Sequence, residues 1–147
     1  MSTEARKGID YPGVSVVFWC HDGKGNYAMH RRGPEARDEN GKWDCGSGGL
    51  EVHDNVLDRL RTEVKEEYCA EAKEIEFLGY FDSHREHKGE QVHWIALTFR
   101  VLVDPHTVKI GEPGKHDKIG WYTRDNLPLP MHPTAAEEAI MLRNKLI

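Results

Sequence analysis

Glu63, Glu66 and Glu67 stand at i, i+3 and i+4 in a stretch whose apolar residues recur at helical spacing. Taking Leu57 as origin and about 100° per residue, Val56, Leu57, Leu60, Val64 and Tyr68 fall between roughly 260° and 20° and define a buried stripe. Glu66, Glu63 and Glu67 fall at roughly 180°, 240° and 280° on the same wheel, so three carboxylates share the sector beside that stripe and can converge on one point. Like charges at this spacing repel. A hard divalent cation relieves the repulsion best: magnesium binds through a few carboxylates plus water and leaves coordination positions free for phosphate oxygens, with manganese as a substitute. The ordinary alternative for an acidic run is a solvated helix face.

These carboxylates need a helix, and the sequence predicts one over residues 54–69, opened by Asp54 as N-cap. Upstream, residues 14–20 form a β-branched and aromatic run, and a turn-rich stretch, His21-Asp22-Gly23-Lys24-Gly25-Asn26, leads to a second strand at 27–31, giving a hairpin. Residues 33–49 are rich in glycine and charge without periodicity and read as a long functional loop. Strands are predicted at 75–83, 92–103 and 119–123, then a closing amphipathic helix at 134–146 with Ala136, Ala139, Ile140 and Leu142 or Leu146 inward. The order β-β-loop-α-β-β-β-α specifies an α+β fold: a mixed sheet with helices packed on its faces.

One domain over residues 1–147 fits the length. Lysine and arginine number 20 against 25 acidic residues, a formal charge of −5, which argues against a general nucleic-acid binder. An anionic protein still takes an anionic substrate when a divalent cation lies between them. Cys20, Cys45 and Cys69 form neither a CxxC pair nor an even set, so a reducing, cytoplasmic setting is expected. The polar lead at residues 1–10 has no apolar core segment, and no run approaches the roughly 20 apolar residues of a membrane span, so a soluble, unprocessed chain is expected.

The stretch from Gly48 to Ala70 resembles the signature of the Nudix hydrolase (MutT-like) superfamily, GX5EX7REUXEEXGU with U aliphatic. Gly48 matches the first glycine, Glu63-Val64-Lys65-Glu66-Glu67 the EUXEE core, and Ala70 the last aliphatic position. Three positions depart: Asp54 replaces the first glutamate, Thr62 the arginine that braces the metal-binding glutamates, and Cys69 the late glycine. Met29-His30-Arg31-Arg32, Gly41-Lys42-Trp43-Asp44 and residues 121–130 are similar to family segments on either side. The resemblance implies an α/β/α sandwich and a magnesium-dependent attack of water on a pyrophosphate bond in a nucleoside diphosphate-linked substrate, either a nucleoside triphosphate or a nucleotide sugar. It implies Glu63, Glu66, Glu67 and the Gly48 carbonyl as metal ligands, with Asp117 completing the site ahead of Glu112, and Glu63 and Glu67 as the catalytic carboxylates. The competing expectation is a catalytically silent Nudix domain that binds a nucleotide metabolite or a protein partner.

Arg31 and Arg32 are candidates to bind phosphate, since guanidinium forks match its geometry. Trp43 and Trp94 are candidates to stack on a base or sugar, with core packing the ordinary alternative. His84, His87 and His93 lack a recognised zinc pattern, and strand alternation should separate His93 from the others. Residues 33–44 and 83–91 are expected to be loops that set specificity. For the missing arginine, Arg59 is the candidate replacement: it falls at roughly 200°, between Glu66 and Glu63, whereas Arg61 falls at roughly 40°. Monomer and homodimer both remain open.

Overall fold

The computed structural model describes residues 4–147; residues 1–3 of the polar lead lie outside the described residues. The elements run β1 (Gly13–His21), β2 (Asn26–Arg32), β3 (Trp43–Asp44), β4 (Gly46–Gly49), α1 (Val56–Tyr68), β5 (Glu74–His87), β6 (Glu90–Leu102), β7 (His116–Thr123) and α2 (Pro133–Met141). They build a seven-stranded mixed sheet in the order β3-β2-β1-β6-β5, with β7 on β2 and β4 on β1. β1 and β6 pair in parallel; the other pairings are antiparallel.

Because β1 is covered on both faces, its apolar residues run continuously instead of alternating with polar ones. Val16, Phe18 and Cys20 turn toward Leu60, Val64 and Tyr68 of α1, while Val17 and Trp19 join the cluster containing Ala135 of α2 and Leu146. The result is the expected α/β/α sandwich.

One edge of β1 is shared. Ser15–Phe18 pair with β4, whereas His21 pairs with Tyr27 of β2. The sheet therefore forks between β4 and β2, and the fork is where the site opens.

Several boundaries differ from expectation, each for a local reason. The 33–49 segment contains β3 and β4, which no alternation announces: β4 is Gly-Ser-Gly-Gly, and at Gly46 a Cβ would collide with the Phe18 ring. The 83–91 segment is the end of a long β5–β6 hairpin, closed by Lys88 and Gly89 with φ of 51° and 81°, as a two-residue type I′ turn requires. Its polar sequence hid the strand. The α1 N-cap is Asn55, with no side-chain cap bond; Asp54 instead accepts from the Glu51 N–H at 2.8 Å. Leu57, placed on the buried stripe, is 48% exposed. α2 ends at Met141, and its inward residues are Ala135, Glu138, Ala139 and Leu142, with Ile140 78% exposed. Ala139, Leu142 and Leu146 pack inward as expected, whereas Ile140 does not, and the buried pair Ala135 and Glu138 face the core in its place.

Candidate active site

A cavity of about 700 Å³ occupies the fork. Its sheet wall is built by strand alternation: Ser15 and Val17 of β1, Trp94 and Ala96 of β6, and Ser83 and Arg85 of β5 all face it. α2 covers part of the same face, with Thr134, Ala135 and Glu138 lining the cavity. The opposite wall is the carboxylate side of α1, where Glu63, Glu66 and Glu67 line it beside Gly48.

Gly48 lies against Glu63, and a Cβ there would meet the carboxyl group and displace it, so glycine lets the backbone and the carboxylate approach closely. Glu67 is only 5% exposed; it accepts from the Ser47 N–H at 3.3 Å, and His116 Nε2 lies 3.7 Å from it. Burial pushes its carboxyl well above the usual range, reinforced by Glu63, Glu112 and Asp44 and opposed by the Ser47 N–H. Burial also raises Glu63, and Glu66 and Glu112 add to the effect against the Arg59 hydrogen bond. Such a cluster is short of positive charge, which is the condition a divalent cation satisfies. The donor set is oxygen-rich and fits a hard ion.

The loop before β7 brings Glu112 to this wall. The N–H groups of Lys109 and Gly111 donate to the Tyr68 and Glu67 carbonyls at 3.1 and 3.0 Å, so the loop caps the C-terminus of α1. Gly111 sits against the Glu66 carbonyl, with no room for a Cβ. Glu112 then lines the cavity, while Asp117 does not. Alternation along β7 buries His116 and turns Asp117 outward, where it accepts from Arg31 at 2.8 and 3.2 Å. Of the two acidic residues weighed for this role, the runner-up is therefore the one in the cavity.

Arg31 and Arg32 part company for the same reason. Arg31 pairs outside with Asp117; Arg32 lines the cavity and donates to Asp38 at 2.8 and 2.9 Å and to Asp44 at 3.2 Å. Arg85, which the sequence did not single out, lies within 2.9 Å of His132 Nε2 and donates to Asp38 at 3.1 Å. Burial works to raise the Asp38 carboxyl, but Arg37, Arg85 and Arg32 outweigh it and hold it below its ordinary value. The loop after β2 is thus tied to the cavity through one carboxylate gripping two arginines. Trp43 is outside the cavity, edge-on to Tyr122 at 5.5 Å, while Trp94 lines it.

Two mixed-donor clusters were not expected. His30, Glu67 and His116 offer ligand atoms within 4.8 Å of one another, the two rings stacked at 3.7 Å. Asp82, His84 and His93 do the same on the exposed face of the hairpin. Alternation separates His87, which lines the cavity, from this group; His93 is not separated, because register sets it directly opposite His84.

Arg59 bridges Asp54 and Glu63, donating at 2.9 and 3.1 Å. Cys69 occupies the left-handed C-cap of α1 at φ 59°, the position at which the family signature has glycine.

Comparison with known proteins agrees with this fold. The structure is similar to that of a MutT NUDIX hydrolase from Burkholderia pseudomallei at 22% identity and TM-score 0.77, covering 88% of this chain and 97% of that one. A MutT protein from Methanosarcina mazei Go1 superposes at 21% identity and TM-score 0.73, covering 93% and 96%. The NUDIX domain of Shewanella oneidensis NrtR, solved in complex with ADP ribose, superposes at 14% identity and TM-score 0.73, covering 99% and 95%. Comparison of the sequence with curated proteins gives no match. The profile of the NUDIX domain matches residues 11–143, so the chain belongs to the NUDIX family of hydrolases.

Proposed function

We propose that this protein is a magnesium-dependent hydrolase that cleaves the pyrophosphate bond of a nucleoside diphosphate linked to a further phosphate or to a sugar. The observation that carries this reading is that Glu63, Glu66, Glu67 and Glu112 all line one cavity that is also lined by Arg32, Arg85, Lys7 and Lys115. Carboxylates suit the cation, and basic side chains suit the phosphates outside its coordination sphere.

In this reading Glu63, Glu66, Glu67 and Glu112 hold the metal, with the Gly48 backbone beside them. A bound divalent cation neutralises phosphate charge and makes a coordinated water more acidic. Glu63 is positioned by Arg59 at one oxygen and receives the proton from the attacking water, while buried Glu67 fixes the geometry from below. Arg32 and Arg85, each already held by Asp38, bind phosphate with little ordering cost.

The test is product analysis across a panel of nucleoside triphosphates and nucleotide sugars, with and without chelator. A nucleoside monophosphate should appear with magnesium or manganese and vanish with excess EDTA. Glu66→Gln and Glu67→Gln should each lower turnover by at least about a hundredfold in folded protein. Inorganic phosphate released alone from a triphosphate, or undiminished turnover in EDTA, would contradict the assignment.

A further inference from the structure

Resting on the reading just given, the cavity must hold a nucleoside as well as a diphosphate. We propose that the face of Trp94 is the binding platform for the nucleobase, a flat aromatic ring system.

The indole is fixed in an unusual way. Trp94 lies opposite Gly13 across the parallel β1–β6 ladder, and a Cβ at Gly13 would stand 2.6 Å from its ring carbon Cε3. A Cβ at Gly8 would stand 2.8 Å from the indole nitrogen. The ring therefore rests directly on backbone, where no side chain can swing aside.

The Gly8 segment is itself held down. The His93 N–H donates to the Gly8 carbonyl at 2.9 Å, Arg6 pairs with Glu90 at 2.6 Å, and Lys7 pairs with Glu51 at 2.7 Å. A platform so restrained loses little conformational freedom when a ligand stacks on it.

Trp94 remains partly exposed, and it is the aromatic side chain among the cavity-lining tryptophans, tyrosines and phenylalanines of the described residues. Its neighbours on that face of the sheet, Ser15, Ser83, Val92 and Ala96, line the same cavity and are small or aliphatic.

The separation from the carboxylates also fits. Gly48 abuts the Glu63 carboxyl, and at the next residue a Cβ on Gly49 would lie 3.7 Å from the far edge of the indole. Adjacent Cα atoms are about 3.8 Å apart, so carboxylates and ring are separated by a distance on the order of 10 Å, the reach of a ribose and its phosphates. The two glycines point to opposite faces of β4. A ligand joining both ends would pass through the fork beside β4.

Adenosine monophosphate and ribose 5-phosphate differ by the base alone, and neither contains a pyrophosphate bond to cleave. Calorimetric titration of both, in magnesium, should show the wild type binding AMP more tightly. Trp94→Leu should weaken AMP binding about tenfold to a hundredfold and leave ribose 5-phosphate binding unchanged, with Trp94→Phe close to wild type. Equal affinity of the wild type for the two ligands overturns the proposal, as does a folded Trp94→Leu variant that keeps its AMP affinity or loses both ligands alike. If Trp94→Leu does not fold, the indole N–H resonance of Trp94, identified by its loss in Trp94→Phe, must shift with AMP and not with ribose 5-phosphate; a static resonance is equally fatal. Failure of the hydrolase reading shows separately, as AMP binding through Trp94 without turnover of any pyrophosphate substrate.

Discussion

At the scale of single residues, the departure with the largest chemical consequence is Thr62, which stands where the family signature has arginine. The threonine cannot supply positive charge. Arg59 supplies it from one turn earlier, reaching Glu63 at 3.1 Å and anchored at its other side by Asp54 at 2.9 Å. Asp54 is itself a departure, aspartate for glutamate, so one altered position of the signature is linked through the Arg59 guanidinium to the unaltered Glu63. Supports behind metal ligands typically alter affinity or activity by about 10–100-fold when removed. Arg59→Ala is therefore expected to weaken magnesium affinity by about tenfold, and Thr62→Arg in that background should restore part of it. The measurement is turnover as a function of free magnesium; a silent Arg59→Ala at limiting magnesium would show that Glu63 needs no brace.

At the scale of elements, the C-terminus of α1 determines whether the site assembles. The Cys69 N–H closes the helix onto the Lys65 carbonyl at 2.9 Å, and the loop carrying Glu112 docks on the next free carbonyls, those of Glu67 and Tyr68. This exit requires a left-handed residue, and Cys69 adopts φ 59° at a cost of about 1–2 kcal/mol relative to a relaxed backbone. Cys69→Gly removes that strain but adds freedom to the unfolded chain, so a net gain of about 1 kcal/mol is expected. A thermal midpoint above the wild type by a few degrees would agree; a lower midpoint would mean that the thiol packing against Gly111 outweighs the backbone strain.

For the molecule as a whole, the forked sheet creates a cavity and also buries ionisable groups around it. Glu138 is fully buried on α2, accepting from Thr98 at 3.0 Å and from Trp19 at 3.4 Å, with its second oxygen unpartnered. Burial raises its carboxyl from 4.5 to about 7, against the pull of those two donors. A raised carboxyl favours the folded state while protonated. Its contribution is fully present below about pH 4.5 and is lost as the pH rises through about 7. Glu138→Gln fixes the neutral form, so the variant should match the wild type near pH 4.5 and exceed it above pH 7, by a difference on the order of 3 kcal/mol. Denaturant melts of both proteins across this range would check it; parallel pH profiles would place the titration elsewhere.

The sequence by itself determined the local features. A repeat of apolar residues with three carboxylates beside it specifies a helix that carries those carboxylates in one sector, because helical geometry follows from spacing alone, and the glycine at position 48 marks a close backbone approach. β1, β2, β6 and both helices were legible for the same reason. Tertiary structure decided what depends on pairing and on faces. Strand alternation turned Arg32 toward the cavity and left its neighbour Arg31 outside, a distinction invisible in adjacent residues of the same type, while docking of the loop before β7 brought Glu112 to the cavity and alternation along β7 turned Asp117 away. It brought Arg85 to the site from a segment expected to be a loop and set Trp94 in the cavity wall while Trp43 packed against Tyr122. It also set His93 opposite His84, which alternation along a single strand could not reveal. Spacing fixes direction within an element, but only the partner strand fixes which face becomes the floor of a site.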